Sequence, residues 1–160
     1  MILGIDPGVT GCVAAIERGV VSFYDTPTIT VKKGKRTKLE YLPAQMTQDL
    51  ELLKSRVAHC FIEKVHSMPD QGSVSTFGFG MGFGLWIGIL CALHIPYTFV
   101  TPQAWKKELM QGMRDKDAAR IRAQQLFPQT VDRLSRKMDV GRADALLIAE
   151  YGRRIYVGKR

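Results

Sequence analysis

The stretch Ile2-Leu3-Gly4-Ile5-Asp6-Pro7-Gly8 decides how the rest of the chain is read. A short apolar run stops at Asp-Pro-Gly, a turn signal. Gly11–Ile16 and Val20–Tyr24 follow, separated by Glu17-Arg18-Gly19. Together they predict two or three antiparallel strands joined by hairpins. Further on, Leu39, Leu42, Met46, Leu50, Leu53 and Val57 recur every three or four residues. That is the stripe of an amphipathic helix, in which Pro43 is tolerated only near the first turn. His59–Ile62 reads as a buried strand ending at Glu63, residues 72–94 as a second helix, and Ile95–Val100 as a strand stopped by Thr101-Pro102. Helices are expected around Pro102–Met110, Lys116–Phe127 and Gly141–Tyr156. The order β-β-β-α-β-α-β-α-α predicts one α/β domain over residues 1–160, a mixed central sheet flanked by helices.

Composition agrees with a single domain. The 160 residues (17.9 kDa) are 46% hydrophobic and 24% charged, which excludes a disordered chain and suffices for an ordinary core. The formal charge is +8 and the pI about 9.6, a balance that suits a polyanionic partner such as nucleic acid. The excess is concentrated: residues 101–160 hold 14 Lys+Arg against 7 Asp+Glu, while residues 1–100 hold 9 against 8. Lys32-Lys33-Gly34-Lys35-Arg36-Thr37-Lys38 puts five cations into seven positions. It reads either as a solvated loop or as a loop that tracks phosphates.

Cys12, Cys60 and Cys91 lie in apolar runs without a CxxC pair and read as buried thiols of a reducing compartment. His59, His66 and His94 have no ligand spacing with them, which argues against zinc. The N-terminus lacks the basic and apolar regions of a signal peptide, so a cytoplasmic location in a bacterial or phage-infected cell is expected. No Asp, Glu, Lys or Arg occurs between Gln71 and Trp105, and Val74–Leu93 is long enough to span a bilayer. A membrane span would separate Asp6 and Glu63 from Asp139 and Asp144 and split Ile95–Val100 from its sheet. A helix buried in the domain or a dimer interface is the better account. Gly80, Gly84, Gly88 and Ala92 then form a small face open to close backbone approach, and Phe83, Trp86, Ile87 and Leu90 fill the core.

Four carboxylates carry the chemistry. Asp6 and Glu63 each stand at the mouth of an apolar strand, where an acid is costly unless paired or bound to a cation. Asp144 lies in Gly141-Arg142-Ala143-Asp144-Ala145, whose small neighbours let a helix lie close to a sheet. Asp139, five residues earlier, is about 140° away on a continuous helix. It either reaches the same spot from the preceding turn or caps the last helix. Asp6 has a similar plain alternative as a cap of the Pro7-Gly8 turn, and Glu63 as a partner of Lys64 or a distant Arg. Oxygen-only ligands favour a hard cation, Mg²⁺ or Mn²⁺, and two such ions can activate water and stabilise the leaving oxygen of a phosphodiester.

Ile2–Gly8, Ile62-Glu63-Lys64-Val65-His66 and Gly141–Ala149 resemble the three acidic motifs of RuvC-type Holliday junction resolvases, members of the ribonuclease H-like superfamily. The match is closest to the phage and chloroplast branch. Gln71-Gly72, Thr76–Gly80 and Gly84–Leu90 resemble its glycine-rich helix, and Thr101–Lys107, Lys116–Arg120 and Leu126–Pro128 its later segments. The resemblance runs in order over nearly the whole chain. It implies a ribonuclease H-like fold and a homodimer that binds a four-way DNA junction. Each subunit would nick one of two symmetric strands, leaving ligatable 5′-phosphate ends. It implies Mg²⁺, with Mn²⁺ as a substitute, two ions per site and no small-molecule cofactor. Asp6, Glu63 and Asp144 match the metal-binding acids, and Asp139 matches the spacing of the chloroplast-like branch. Lys106, Lys107 and Lys116 match basic positions near DNA. Lys32, Lys33, Lys35 and Arg36 of the basic run, with Gln71, Ser73 and Phe77 at the start of the glycine-rich helix, are the further DNA contacts expected. Three alternatives stand beside this reading: a related nuclease for other branched DNA or RNA, a non-catalytic junction-binding protein, and a phosphate loop like that of actin-like kinases. The last needs a second domain to close over ATP.

Overall fold

The structure, a computed structural model, describes residues 1–34, 36–64, 72–113, 115 and 117–158, with the backbone alone at 33, 36 and 73–75. Three strands open it: β1 (Ile2–Asp6), β2 (Cys12–Glu17) and β3 (Val20–Asp25). Antiparallel turns join them, with Asp6 opposite Cys12 and Cys12 opposite Asp25. A separate hairpin, β4 (Thr28–Lys33) and β5 (Arg36–Tyr41), precedes helix α1 (Pro43–Glu51). Then come β6 (His59–Glu63), α2 (Ser73–Ala92), β7 (Tyr97–Val100), α3 (Pro102–Leu109), α4 (Ala118–Leu126) and α5 (Val140–Val157). The main sheet runs β3-β2-β1-β6-β7, and β1, β6 and β7 are parallel. It is the mixed sheet that the order of elements predicts.

Period-two alternation sorts the sheet into two faces. Leu3, Ile5, Val13, Cys60 and Ile62 pack with Met46 and Leu50 of α1 and Trp86 and Leu90 of α2. Ile2, Ala14, Ile16 and Phe61 pack with Trp105 and Leu109 of α3 and the Ala145–Ala149 segment of α5. By the same alternation Asp6 shares the face of Gly4, and Glu63 that of Phe61, so both acids belong to the side that α5 covers.

Helix α5 lies close because small residues meet on both sides of the contact. A β-carbon at Gly4 would fall on the Ala145 carbonyl and the Ala149 amide, and one at Gly152 on the Phe61 ring. Pro43 starts α1 at its first turn, which truncates the stripe read from Leu39 to Val57. Leu39 belongs to β5, and Leu53 stays buried just past the helix.

Several expectations are corrected. The basic run is not a loop: Lys32 pairs with Thr37 and Lys33 with Arg36 across an antiparallel hairpin whose turn places Gly34 at positive φ. Both strands carry charges at their tips, so charge density masks the β-branched alternation Thr28-Ile29-Thr30-Val31. Cys12 and Cys60 are buried, but Cys91 is exposed, with its thiol 3.6 Å from the Tyr97 hydroxyl. On α2, Trp86 and Leu90 are buried and Phe83 and Ile87 half-buried. Gly80, Gly84, Gly88 and Ala92 face outward. Gly82, which the spacing did not single out, makes the close approach instead: the Tyr41 ring fills the place its β-carbon would take. Among the described residues no helix is long and apolar enough to cross a membrane.

Candidate metal and nucleic-acid site

The parallel pairing of β1 with β6 aligns Ile5 with Ile62, so Asp6 and Glu63 end neighbouring strands one residue further on. Strands lie about 4.8 Å apart in a sheet. Helix α5 crosses this end of the sheet. A β-carbon at Gly141 would meet the Thr10 carbonyl and lie 3.2 Å from Asp6 Oδ2, so the start of α5 rests on the β1–β2 turn. Asp144, one turn later, enters the same region.

Electrostatics joins the three acids. Burial and then the Glu63 charge push the Asp6 carboxyl up to about 6. Burial, Asp6 and Glu63 push Asp144 up to about 7. Lys106 pulls in the opposite direction on both, so its ammonium faces the cluster although the side chain is exposed. Two acids are also held individually. The Gly8 amide donates to Asp6 Oδ1 at 3.3 Å, and the Trp105 indole donates to Glu63 Oε1 at 2.9 Å. The expected turn contact of Asp6 thus exists beside its membership of the cluster, and the partner of Glu63 is an indole rather than Lys64. Among the described residues no three His, Cys, Asp or Glu side chains stand close enough, as placed, to grip one ion together.

Asp139 is not with them. It is buried, and Arg136 holds both of its oxygens: Nη2 donates to Oδ1 at 2.8 Å and the backbone amide to Oδ2 at 2.9 Å. Arg142 Nη1 lies 3.6 Å away. The Arg136 hydrogen bonds hold its carboxyl below the usual carboxylate range. Arg142 in turn clamps Asp25 at the end of β3 with Nε to Oδ1 at 2.7 Å. Thr10, Asp25, Arg136, Asp139 and Arg142 line a cleft of about 200 Å³ over this network. Asp139 stands at the N-cap position of α5, but its side chain makes no cap hydrogen bond to that helix; it accepts instead from Arg136, three residues back, and closes the short 3₁₀ turn Lys137–Asp139.

The other expected contacts that the structure describes sit on separate elements. Lys32 and Lys107 are exposed, the first on β4 and the second on α3. Phe77 on α2 is 73% exposed, enough to leave its ring free for stacking. Phe83 instead packs on Phe99 with centroids 5.5 Å apart, and Phe79 lies beside the place of a Gly8 β-carbon. Lys35, Gln71 and Lys116 lie outside the described residues, as do the side chains of Lys33, Arg36 and Ser73. Sequence reasoning gave no role to Trp105, Asp25 or Tyr41. A buried tryptophan usually finds an acceptor for its N–H, a signal that could have singled out Trp105 but would have singled out Trp86 equally. Nothing local pointed to Asp25, whose partner is 117 residues away.

Comparison with known proteins falls on the same family as the acidic motifs. The Holliday junction resolvase MOC1, chloroplastic, of Chlamydomonas reinhardtii is 32% identical over 92 residues, which span 57% of this chain and 10% of that protein. The chain thus corresponds to about a tenth of the length of that curated relative. Thermus thermophilus RuvC in complex with a Holliday junction substrate superposes with a TM-score of 0.60 at 17% identity, covering 96% of this chain and 95% of that one. A second T. thermophilus RuvC structure gives 0.55 at 16% identity, covering 97% and 96%. No family model matches the chain. The chain has the RuvC fold, of ribonuclease H type.

Proposed function

We propose that this chain is a structure-selective endodeoxyribonuclease that resolves four-way DNA junctions by paired, metal-dependent hydrolysis in a homodimer. The observation that carries the reading is the meeting of Asp6, Glu63 and Asp144. Two parallel strand ends present the first two, and a helix pressed on the sheet by Gly4 and Gly141 brings the third. Asp6 and Asp144 with raised proton affinity, the Glu63 charge acting on both, and Lys106 as the counter-charge acting on them among the described residues suit a hard cation, and the donors are all oxygen. In this reading Asp6, Glu63 and Asp144 would hold Mg²⁺, or Mn²⁺ in its place. A pair of such ions supplies an activated water and charge neutralisation at the leaving 3′ oxygen. Lys106 steadies the charge of the scissile phosphate from the open side. The β4–β5 hairpin and the α3 lysines follow the backbone of the junction arms, contacts that position the DNA without reading its sequence. Phe77 stacks near the exchange point, and a second copy packs on the outward small-residue face of α2.

The test is incubation of the purified protein with labelled four-way, three-way and linear duplex DNA, with and without Mg²⁺. Symmetric paired nicks are expected in the four-way junction alone, only with metal, and Asp6→Asn is expected to abolish them while junction binding persists. Equal cleavage of all three substrates overturns the junction reading, and wild-type rates in Asp6→Asn remove Asp6 from the site.

A further inference from the structure

We infer that Trp105 is a positioning residue for Glu63, one that fixes a single carboxylate oxygen and leaves the other for the cation. The inference rests on the metal reading above and adds a residue to it. Trp105 is fully buried, and its only polar atom donates to Glu63 Oε1 at 2.9 Å. Among the described residues Glu63 Oε2 accepts no hydrogen bond. Trp86, the other tryptophan, is equally buried, and its indole nitrogen has no partner among the described residues. The contact at Trp105 is therefore not a general consequence of burying an indole in this core.

The backbone sets this contact. Glu63 pairs with Val100 across β6 and β7, and the Lys64 amide donates to the Val100 carbonyl at 2.7 Å. The chain turns at once: the Thr101 hydroxyl accepts from the Ala104 amide at 3.2 Å, capping α3, and Pro102 occupies its first turn. Trp105 thus arrives one helical turn after the strand residue that faces Glu63. A glutamate has three side-chain torsions, and an indole N–H at a fixed point removes much of that freedom before a cation binds. The same ring carries Lys106, whose ammonium sits 5.1 Å from its centroid and acts on Asp6 and Asp144. One tryptophan therefore orients the acid on β6 and supports the cation that faces the other two.

The test uses the full-length chain, ¹⁵N-labelled, and Mg²⁺ alone as probe. In proton–nitrogen spectra the Trp105 indole signal, identified by its loss in Trp105→Phe, is expected to move on Mg²⁺ addition and in Glu63→Gln, and that of Trp86 to stay. In Trp105→Phe, which keeps an aromatic ring and removes the N–H, the Mg²⁺ midpoint read from the amides of Ile5 and Ala145 is expected to rise about ten- to a hundredfold. A wild-type midpoint in Trp105→Phe overturns the inference, as does an indole signal unmoved by Glu63→Gln. The second criterion holds even if Trp105→Phe does not fold, because the chain has two tryptophans and the loss of one indole signal in Trp86→Phe identifies the other as Trp105. A wild-type protein whose amides near Asp6, Glu63 and Asp144 ignore Mg²⁺ overturns the metal reading itself, a different result from either of these.

Discussion

Arg136 closes on Asp139 with its guanidinium at one carboxylate oxygen, 2.8 Å away, and with its own backbone amide at the other, 2.9 Å away. A buried carboxylate whose two oxygens are already taken has little left for a metal ion. Asp139→Asn keeps the shape and removes the charge, so the Arg136 fork weakens and Arg142 loses a neighbour. The expected outcome is an unfolding midpoint several degrees lower with Mg²⁺-dependent junction cleavage retained. Thermal melts beside a cleavage assay decide it: lost cleavage at an unchanged midpoint would return Asp139 to the metal site.

Asp144 makes the apo protein sensitive to pH in the opposite sense from most acids. An unfolded aspartate titrates near 4, at about 3.9, and in the fold Asp144 titrates at about 7. The folded state therefore holds its proton more tightly, and stability falls as pH rises from about 4 to about 7, then levels off. A tenfold change in proton affinity is worth about 1.4 kcal/mol, so the buried charge costs the fold a few kcal/mol at most. Asp144→Asn is expected to raise the melting temperature at pH 8 and to change it little near pH 4. Mg²⁺ is expected to stabilise the wild type at pH 8 and the variant far less. Equal melting temperatures for the two proteins at pH 8 would show that the charge carries no penalty.

The hairpin lysines are placed to add affinity without touching the chemistry. Lys32 and Lys38 are exposed on β4 and β5, and neither is among the charges that act on Asp6 or Asp144. Replacing both by alanine is expected to lower junction affinity and flatten its dependence on salt by about 0.9 per lysine in the logarithmic slope. Cleavage at saturating protein is expected to stay at the wild-type rate. Fluorescence anisotropy over a salt series reads the slope, and an unchanged value would show that the hairpin does not meet phosphates.

The parts of the fold legible in the sequence were those with a strong local period. β1, β2, β3 and β6 stand where their apolar runs end at Asp-Pro-Gly, Glu-Arg-Gly and Glu63, and α5 follows its small-residue stripe. The β4–β5 hairpin was not legible, because the charges at its tip hide the short alternation Thr28-Ile29-Thr30-Val31. For the site, strand ends and the Ala-flanked Asp144 pointed to three acids, since an acid at the mouth of a core strand is costly in isolation. The separation of Asp139 from them was not legible. It depends on Arg136 and Arg142 folding back through a short 3₁₀ turn at Lys137–Asp139, and sequence spacing does not encode such a turn.

Gly4 tests whether backbone packing, rather than the acids alone, makes the site. Its missing side chain is the space that the Ala145 carbonyl and Ala149 amide occupy, and both of those atoms are main chain. Backbone cannot rotate aside as a side chain does, so in Gly4→Ala either α5 lifts from β1 or the sheet bends. Overpacking of this kind costs about 3 kcal/mol, a sizeable share of a domain's stability. Lifting α5 also moves Asp144, which immediately precedes Ala145, away from Asp6 and relieves their mutual repulsion. Urea denaturation is expected to show the destabilisation, and the Mg²⁺ midpoint of the still-folded fraction to rise well beyond that of Ala143→Gly, a destabilising change elsewhere on α5. A Gly4→Ala protein that loses stability yet binds Mg²⁺ as tightly as the wild type would show that Asp144 is held in place by something other than this helix–strand contact.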